Sequence, residues 1–375
     1  DIGATSNTLI SPAWANVSLT VNGGLYVMAD LEEEKLYALD GNGLAWIEDR
    51  NGNRHTMIYN QGYLASVHNG KENQIAFEYT AGGVLARAYV PEGGEELEVA
   101  FVYNGGLLAE ATASSGYQQT YAYDTGALMT SVDVGGAIAA SWSYGNDGRV
   151  SSTSLTEGGT FTYSYGNNSL IVTQPGATQR TYTHNAMGQL VSYVDGEGAM
   201  YDYGYDAAGR RVSVTDPVGR LTQWSYDAVD RMLESITEPG GFTTTYEYVA
   251  GSSDYGVLFW NLSKITDPDL REQIYTRDNN GNILFFTDQE NETWEFTYDA
   301  NGRLLESLSP LGGRTVYTRT VDGSVQTATD PRGNTTEYRY DLFQRMDRII
   351  YPDTSEAAFT YTTRFEPDRS VSRSG

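Results

Sequence analysis

The chain contains no cysteine, and only three histidines occur in its 375 residues. Neither a disulfide framework nor a thiolate metal site can form without cysteine. No run of about 18 apolar residues occurs, so no membrane-spanning helix is expected. Basic residues are scarce as well, with 24 Lys and Arg against 49 Asp and Glu and a formal net charge of −25. This charge argues against partners that need a basic surface, such as nucleic acids and anionic membranes.

Motifs of known chemistry are also missing: there is no Gly-x-Ser-x-Gly elbow, phosphate loop or dinucleotide fingerprint. His55 and His68 have no Cys or His partner at metal-ligand spacing. The segments 40–43 and 278–282 resemble calcium loops, but neither has a bidentate acid at the required distance, and both fall where a hairpin turn is expected. We therefore expect no catalytic residue, no cofactor, no metal and no enzymatic activity. A glycosidase carboxylate pair is kept as a weaker alternative.

Tyrosine and glycine, by contrast, are abundant: 29 Tyr stand against 11 Phe and 6 Trp, and 41 glycines are spread along the chain. The segment from Trp294 to Leu304 shows why. Trp294, Phe296 and Tyr298 alternate with polar residues, as in a strand with one apolar face. The tetrad 299–302 then has the composition of a tight turn, and Leu304 begins a return strand. This pattern predicts a β-hairpin followed by a connector, with no helix.

The hairpin recurs as a repeat of about 21 residues, marked by the last tyrosine of its first strand. We call these positions the tyrosine slots: Tyr59, Tyr79, Tyr103, Tyr123, Tyr144, Tyr165, Tyr205, Tyr226, Tyr248, Tyr298, Tyr340 and Tyr361. Three slots that lack tyrosine hold His184, Arg277 and Arg319, each four residues ahead of a turn glycine. Leu39 occupies the first, degenerate slot. The regular spacing predicts that these residues belong to the framework rather than to a reactive site.

Connectors between hairpins carry a second turn motif, seen at 49–53, 216–219, 267–269 and 330–334. Proline at the second position sets φ for a turn, and Gly or Asn takes the later position, so strand pairing reverses there.

The tyrosines are expected to stabilise the sheet by forming ladders between equivalent slots of neighbouring strands, each pair contributing about 0.2–1 kcal/mol. Tyrosine rather than phenylalanine suits a ring whose far end must reach water or a polar group. The alternative is that the aromatic residues form platforms for sugar or ligand stacking.

The motif Tyr-Asp-x-x-Gly-Arg, as in 205–210 and 298–303, resembles the YD repeat of the Rhs family, and so do the connectors 215–219 and 329–334. The resemblance covers 36–365. It implies an all-β array of hairpin repeats whose sheet spirals into a hollow shell or barrel. In bacterial Rhs proteins and related insecticidal toxin-complex subunits, the shell encloses a C-terminal toxin domain. In the teneurins, a similar barrel belongs to a cell-surface adhesion protein. The family's self-cleaving aspartyl segment and its variable toxin domain are not found in this chain.

Two regions depart from the repeat. Residues 1–35 lack it and are expected either to finish a preceding domain or to cover the first edge strand, whereas 36–375 form the array. The interval between Tyr248 and Arg277 is about eight residues too long, with the excess in 251–260. Tyr255, Phe259 and Trp260 in this insertion are a candidate contact patch, with packing over the sheet edge as the alternative.

The chain begins without methionine and ends in mid-pattern, so we expect a piece of a longer protein. Its roughly 16 hairpins are expected to be too few to close a full shell.

These features predict a shell segment of a bacterial Rhs-type toxin, secreted or extracellular, that encapsulates a C-terminal toxin or cargo domain. Its partners would be the remainder of the same polypeptide, an N-terminal domain and the cargo, with no nucleic acid and no membrane span. The alternative is a cell-surface YD-repeat protein for adhesion or carbohydrate binding. A repeat-borne glycosidase is a third, weaker reading.

Overall fold

A computed structural model describes residues 8–10, 17–22, 25–30, 33–70, 74–91, 97–228, 232–252, 258–341, 344–361 and 367–374. Within these residues every regular element is a β-strand, as the alternation of apolar and polar residues predicts. No helix of the described part is long and apolar enough to cross a membrane.

The strands are numbered in chain order. The first eighteen are β1 Thr8–Ile10, β2 Val17–Asn22, β3 Leu25–Asp30, β4 Lys35–Asp40, β5 Gly43–Asp49, β6 Arg54–Asn60, β7 Tyr63–His68, β8 Gln74–Tyr79, β9 Leu85–Tyr89, β10 Glu98–Asn104, β11 Leu107–Ala113, β12 Gln118–Tyr123, β13 Met129–Val134, β14 Ala137–Tyr144, β15 Val150–Leu155, β16 Gly159–Tyr165, β17 Ser169–Thr173 and β18 Gln179–His184. The remaining strands are β19 Leu190–Val194, β20 Met200–Tyr205, β21 Arg211–Thr215, β22 Leu221–Tyr226, β23 Leu233–Thr237, β24 Thr243–Ser252, β25 Leu258–Thr266, β26 Glu272–Arg277, β27 Ile283–Thr287, β28 Thr293–Tyr298, β29 Leu304–Leu308, β30 Arg314–Arg319, β31 Val325–Thr329, β32 Thr335–Tyr340, β33 Met346–Ile350, β34 Glu356–Tyr361 and β35 Pro367–Ser374.

All strands belong to one antiparallel sheet in which each strand pairs with the next one along the chain. The turns therefore alternate between the two rims of the sheet. We call the rim with the turns that follow the tyrosine slots the YD rim, and the opposite one the connector rim. This single meander confirms the all-β repeat array predicted from the sequence.

The two faces of the sheet differ in chemistry. In β28, Trp294, Phe296 and Tyr298 are half-buried, whereas Glu295 and Thr297 between them are exposed. We call the first side the aromatic face and the second the polar face. Each face takes alternate residues because successive side chains of a strand point to opposite sides.

The sheet is a single layer over most of its area. Its solvent-accessible surface is 22702 Å², whereas a compact protein of the same mass would expose about 15,000 Å². Most strand residues are only half-buried, because among the described residues no second layer packs on most of the sheet. The hydrophobic core is small and lies at one place, on strands β3 to β5 and β25. Strands β2 and β3, which precede the first repeat, continue the same sheet by pairing with each other and with β4. The division at residue 35 stays a prediction.

Candidate functional site

The turns on both rims share one design. In the YD turn 206–210, the Asp206 backbone N–H donates to the Arg210 carbonyl, and the Gly209 N–H donates to the Asp206 carbonyl. The Asp206 carboxylate accepts hydrogen bonds from the Ala208 and Arg210 N–H groups and from the Arg210 guanidinium. Gly209 has a φ of 85°, a left-handed conformation that glycine adopts at no steric cost. The connector turn 216–220 repeats these contacts, which explains why Asp begins both motifs.

The turn carboxylates of Asp206 and Asp267 are held in their ionised form. Burial opposes ionisation of Asp206, but the hydrogen bonds from the Arg210 backbone and side chain outweigh it, so the pKa of Asp206 lies below its usual value. At Asp267 the backbone N–H of Arg271 is the largest influence, and the pKa is again lowered. These carboxylates therefore serve as turn caps rather than as free general acids.

Every tyrosine slot except Tyr165 faces a β-bulge. Tyr298 pairs with Leu304 while Thr297 pairs with Glu306, so one residue of the return strand is left over. The same register shift occurs at the substituted slots Leu39, His184 and Arg277, and at Arg319. A bulge increases the local twist of a strand. The predicted framework role of the substituted slots agrees with this shared geometry.

The slot tyrosines reach back to the preceding hairpin through their hydroxyl groups. The Tyr226 hydroxyl donates to the Arg211 carbonyl at 3.0 Å, fifteen residues earlier. The same bond, over the same separation, is made by Tyr59, Tyr79, Tyr144, Tyr165, Tyr205, Tyr340 and Tyr361. This polar partner is the reason why tyrosine rather than phenylalanine occupies the slot.

The arginine of the YD turn completes a clamp on the next tyrosine. The Arg210 guanidinium, already paired with Asp206 at 2.8 Å, lies 4.6 Å from the ring centroid of Tyr226. Arg149 lies over Tyr165 and Arg345 lies over Tyr361 at 4.8 and 4.4 Å. The Tyr-Asp-x-x-Gly-Arg motif therefore joins neighbouring hairpins as well as closing its own turn.

Arginine can take the place of a slot tyrosine because it makes the same bond. The Arg277 guanidinium donates to the Leu262 carbonyl at 3.1 Å and to the Gly281 carbonyl at 2.8 Å. Arg319 bonds the Leu304 carbonyl at 3.2 and 2.8 Å. Burial lowers the pKa of Arg277, which remains a cation at neutral pH.

The expected ladder of slot tyrosines is not what the structure shows. Slots lie on every second strand, about 9–10 Å apart, which is too far for direct ring contact. Rings on adjacent strands pair instead on the aromatic face. Tyr193 lies 5.1 Å from Tyr182 and 6.0 Å from Tyr201 between ring centroids. A second row joins Tyr275, Phe286 and Trp294 at 5.1 and 5.4 Å.

The polar face carries ion pairs that run from strand to strand. Arg87 of β9 bonds Glu78 of β8 and Glu98 of β10, each at 2.9 Å. Lys264 lies 2.6 Å from Glu247 and 3.2 Å from Glu272. The side chains involved are partly exposed, so each pair is worth little by itself. Their arrangement places a cation between two carboxylates on neighbouring strands of an acidic face.

The sheet winds round so that an early part of it meets a later part, and we call one such winding a coil. We define the seam as the contact between the connector 49–53 of the early coil and strands β25 to β29 of the later one. Arg50, whose side chain is only 4% exposed, donates to the Asn261 side chain at 2.5 Å and to the Asn279 carbonyl at 3.2 Å. Its guanidinium also lies 4.9 Å from the ring centroid of Phe259 and 3.4 Å from the carboxylate of Glu34.

Asparagine side chains complete the seam. Asn282 donates to the Asn51 side chain at 2.8 Å. Asn53 and Asn301 exchange two hydrogen bonds, at 2.9 and 2.7 Å. A Cβ atom at Gly302 would approach Asn51 to 2.3 Å, so glycine is required for this fit. The seam joins the connector rim of an early coil to the YD rim of a later one, so the sheet wraps back upon itself.

The extra residues near 251–260 lengthen a hairpin rather than form a separate loop. Strand β24 pairs with β25 from Thr245 to Ser252. The extension packs on β3 to β5, where Phe259 joins Val27, Leu36 and Trp46 in the buried core and is 1% exposed. The interpretation of Phe259 as part of an exposed contact patch is therefore wrong, and the alternative, packing over the sheet, is what the structure shows. Trp260 is half-buried, and Tyr255 lies outside the described residues.

The histidines and acidic turns form no reactive constellation in the described part. The turns 40–43 and 278–282 close hairpins of the YD rim. His68 bonds the Ser66 hydroxyl at 2.8 Å, and His184 occupies its slot. Among the described residues no group of three His, Asp or Glu side chains has the arrangement of a metal site.

The sequence motifs did not single out the seam residues Arg50, Asn51 and Asn53, although one signal was present. The second residue of the connector 49–53 is Arg50, whereas the second residue of the connectors that begin at 216, 267 and 330 is proline. Such a departure marks a turn whose second residue has another partner.

Comparisons with known proteins agree with this geometry. A family model described as RHS Repeat matches 205–244, which includes the turns 206–210 and 216–220. No curated protein matches the chain. The crystal structure of TcdB2-TccC3-TEV is similar over 94% of this chain and 22% of its own, with 14% identity and a TM-score of 0.55. That of TcdB2-TccC3-Cdc42 is similar over 92% and 26%, with 14% identity and a TM-score of 0.48. This chain therefore spans about a fifth to a quarter of the chains it matches.

Fold and turns together define a class of protein: an open, coiled antiparallel sheet of tyrosine-marked hairpins. Residues 205–244 match the RHS Repeat family model and the fold is similar to part of the TcdB2-TccC3-TEV structure, so the resemblance to Rhs/YD repeats noted from the turn motifs is confirmed.

Proposed function

We propose that this sheet is part of the shell of a bacterial Rhs-type toxin and encloses a cargo domain of the same polypeptide. The observation that carries the proposal is the seam. A single-layer sheet encloses space only if successive coils are sealed, and Arg50 with the asparagines of the seam makes such a seal.

The similarity in fold to part of the TcdB2-TccC3-TEV structure supports this proposal. A toxin shell of this kind acts outside the producing cell, so we propose a secreted or extracellular location. The cargo is the proposed partner.

The test is protease protection in the natural gene product. A domain outside the repeat sheet is expected to resist digestion while the seam is intact. Arg50→Ala removes the guanidinium that bonds Asn261 and Asn279, and should make that domain accessible. Arg220→Ala is the matched control, because this connector arginine is exposed and bonds only its own turn through Asp216. A gene product with no domain beyond the sheet, or equal digestion of both variants, would contradict the proposal.

Carbohydrate binding is the second candidate, supported by the stacked rings of Tyr182, Tyr193 and Tyr201 on the aromatic face. Aromatic rows of this kind offer flat apolar surfaces. Calorimetric titration with oligosaccharides tests it. Binding that is lost in Tyr193→Ala would favour this function over containment alone.

A further inference from the structure

Three tyrosines on the aromatic face form a row that lies outside the tyrosine slots. Tyr182, Tyr193 and Tyr201 stand opposite one another on the adjacent strands β18, β19 and β20. Their ring centroids are 5.1 and 6.0 Å apart, with angles of 35° and 27° between the ring planes. We call these three residues the tyrosine strip. All three are half-buried, so part of each side chain is open to solvent.

The hydroxyl groups of the strip differ from those of the slots in having no partner. The slot hydroxyl of Tyr226 donates to a carbonyl of the preceding hairpin. Within the described segment 97–228, the three strip hydroxyls make no hydrogen bond. Side chains stand roughly perpendicular to a sheet, so the hydroxyl ends of these rings point away from it. The strip therefore presents a line of three groups that can each donate and accept a hydrogen bond.

Arg180 lies beside the strip and has no counter-charge in the described part of the chain. It precedes Tyr182 by two residues on β18, so both side chains are on the aromatic face. Its Nε atom is buried and has no hydrogen-bond partner. Continuing the register of β18 and β19 places Asp195 across from it. The Asp195 carboxylate, however, accepts hydrogen bonds from the Glu197 and Ala199 N–H groups of its own turn.

The state of Arg180 contrasts with that of other arginines of the sheet. Arg210 pairs with Asp206, and Arg277 donates to two carbonyls. A partly buried guanidinium without such partners is costly, because buried polar groups normally find a hydrogen-bond partner. Its planar array of N–H donors matches a carboxylate, and hydrogen bonds between charged groups are the strong ones. Arg180 is therefore a place for an anionic group of a ligand.

We propose that Arg180 and the tyrosine strip bind a linear acidic polysaccharide. The guanidinium takes the carboxylate of one sugar, and the phenol hydroxyls of the strip bond the hydroxyl groups of that sugar and its neighbours. A linear saccharide presents hydroxyl groups at regular intervals, which suits polar groups repeated from strand to strand. The inference rests on the second candidate function, carbohydrate binding, and specifies the class of sugar.

The overall charge of the chain works against such a ligand, so the preference for an acidic sugar must come from direct contact. The net charge is −25. At physiological ionic strength the Debye length is about 8 Å, so distant carboxylates are screened more than a group in contact. On β20, Asp202 alternates with Tyr201 and therefore points to the polar face. The contact at Arg180 thus dominates near the strip, and binding is best measured at this ionic strength.

Calorimetric titration of the whole chain with trigalacturonic acid and with its fully methyl-esterified form tests the proposal. The two probes share their rings and hydroxyl groups and differ in charge. The wild type is expected to bind the acid at least about tenfold more tightly than the ester. Arg180→Gln should bind both probes as weakly as the wild type binds the ester. Tyr193→Phe removes one hydroxyl but keeps the ring, so it should weaken the binding of both probes.

Arg332→Gln is the matched control, because it makes the same change of charge at an exposed residue of the connector rim. It should keep the preference of the wild type, and circular dichroism should show that all variants keep the sheet. Equal affinity of the wild type for the two probes, or a preference that survives in Arg180→Gln, would overturn the inference and leave carbohydrate binding standing. If neither probe binds but a neutral oligosaccharide does, the inference again fails alone. If no sugar binds, carbohydrate binding fails with it.

Discussion

The slot tyrosine Tyr226 combines three interactions at one residue. Its ring is half-buried on the aromatic face, its hydroxyl bonds a carbonyl of the previous strand, and the arginine of the previous turn lies over its ring. Burial accordingly raises the pKa of Tyr226. The motif is conserved in form along this chain because no smaller or purely apolar residue makes all three contacts. Arginine keeps the hydrogen bond, which explains its use at two slots.

Loss of the slot hydroxyl is expected to cost stability without changing the fold. Tyr226→Phe removes the hydrogen bond to the Arg211 carbonyl and should destabilise the hairpin by about 1 kcal/mol. Hydrogen exchange of β21 to β23 measures this effect locally, which suits a repeat protein whose units open separately.

Tyr163→Phe is the matched control. Tyr163 lies within β16, and within the described segment 97–228 its hydroxyl group makes no hydrogen bond. Combining Tyr226→Phe with Arg210→Ala tests the clamp. If the two effects simply add, the ring, hydroxyl and guanidinium do not act together.

At the scale of residues, the sequence predicted the positions of the slots but not the groups that the slot side chains contact. Period and turn residues predicted every slot, including His184, Arg277 and Arg319. The expected ring-to-ring ladder was wrong because strand spacing places equivalent slots two strands apart. The carbonyl that each hydroxyl finds depends on the bulge, and the bulge is a property of two paired strands rather than of one motif.

At the scale of elements, the hairpin β24–β25 differs from the others in length and in role. On β3 to β5, the side of the sheet that corresponds to the polar face is lined by apolar residues. Val27, Ala38 and Trp46 stand there, where other strands carry charged or hydroxyl side chains. If this apolar patch were exposed to solvent, it would favour aggregation. The longer hairpin covers it with Phe259, and Arg50 secures the contact from the connector.

Phe259→Ala is expected to loosen this contact strongly. Truncating a fully buried phenylalanine costs about 3–5 kcal/mol, and Phe259 is 1% exposed. Hydrogen exchange should become faster in β3 to β5 and in the ends of β24 and β25, with little change beyond β30.

Phe285→Ala is the control, because Phe285 is 41% exposed in β27, two strands away from β25. Comparable losses of protection in the two variants would show that the extension does not hold the coils together.

The spacing of the repeats revealed the extra residues in this hairpin, but it did not show which strands they pack against. Strand pairing between neighbours follows from local turns, which a sequence displays. The seam joins residues more than two hundred positions apart, and its geometry depends on the small twist added by each hairpin over a whole coil. Nothing in a single repeat encodes that sum. Arg50 in place of proline marks an unusual turn in the sequence, but its partners Asn261 and Asn279 became identifiable only once the coil was known.

At the scale of the molecule, the open sheet depends on its turns to a degree that compact proteins do not. Its core is small, and the turn carboxylates recur on both rims. The Asn334 side chain lowers the pKa of Asp330, and the Arg149 backbone N–H lowers that of Asp147. The pKa of Asp216 and that of Asp299 are lowered as well, so the sum over these turns matters more than any single site.

Acid is therefore expected to destabilise the sheet. A carboxyl whose pKa is lower when folded contributes stability at pH values above its unfolded pKa, and that stability is lost as pH falls through the folded value. The urea midpoint should stay level near neutral pH and drop as pH falls below about 4.

Asp267→Asn isolates one turn, because the amide keeps an acceptor oxygen for the backbone but does not titrate. This variant should show a smaller loss of protection around 267–271 in acid than the wild type does. A urea midpoint that rises on acidification would mean that relief of charge repulsion dominates over the turns.

The strictly sequential pairing of strands also sets the order in which the protein assembles during synthesis. Every hairpin finds its partner in the one made just before, so the sheet can extend at its growing edge as the ribosome delivers each repeat. The seam is different, because Arg50 must wait until residues 259–301 have been made. Until then the nascent chain is an open ribbon, and the coil locks only once these later hairpins have been made.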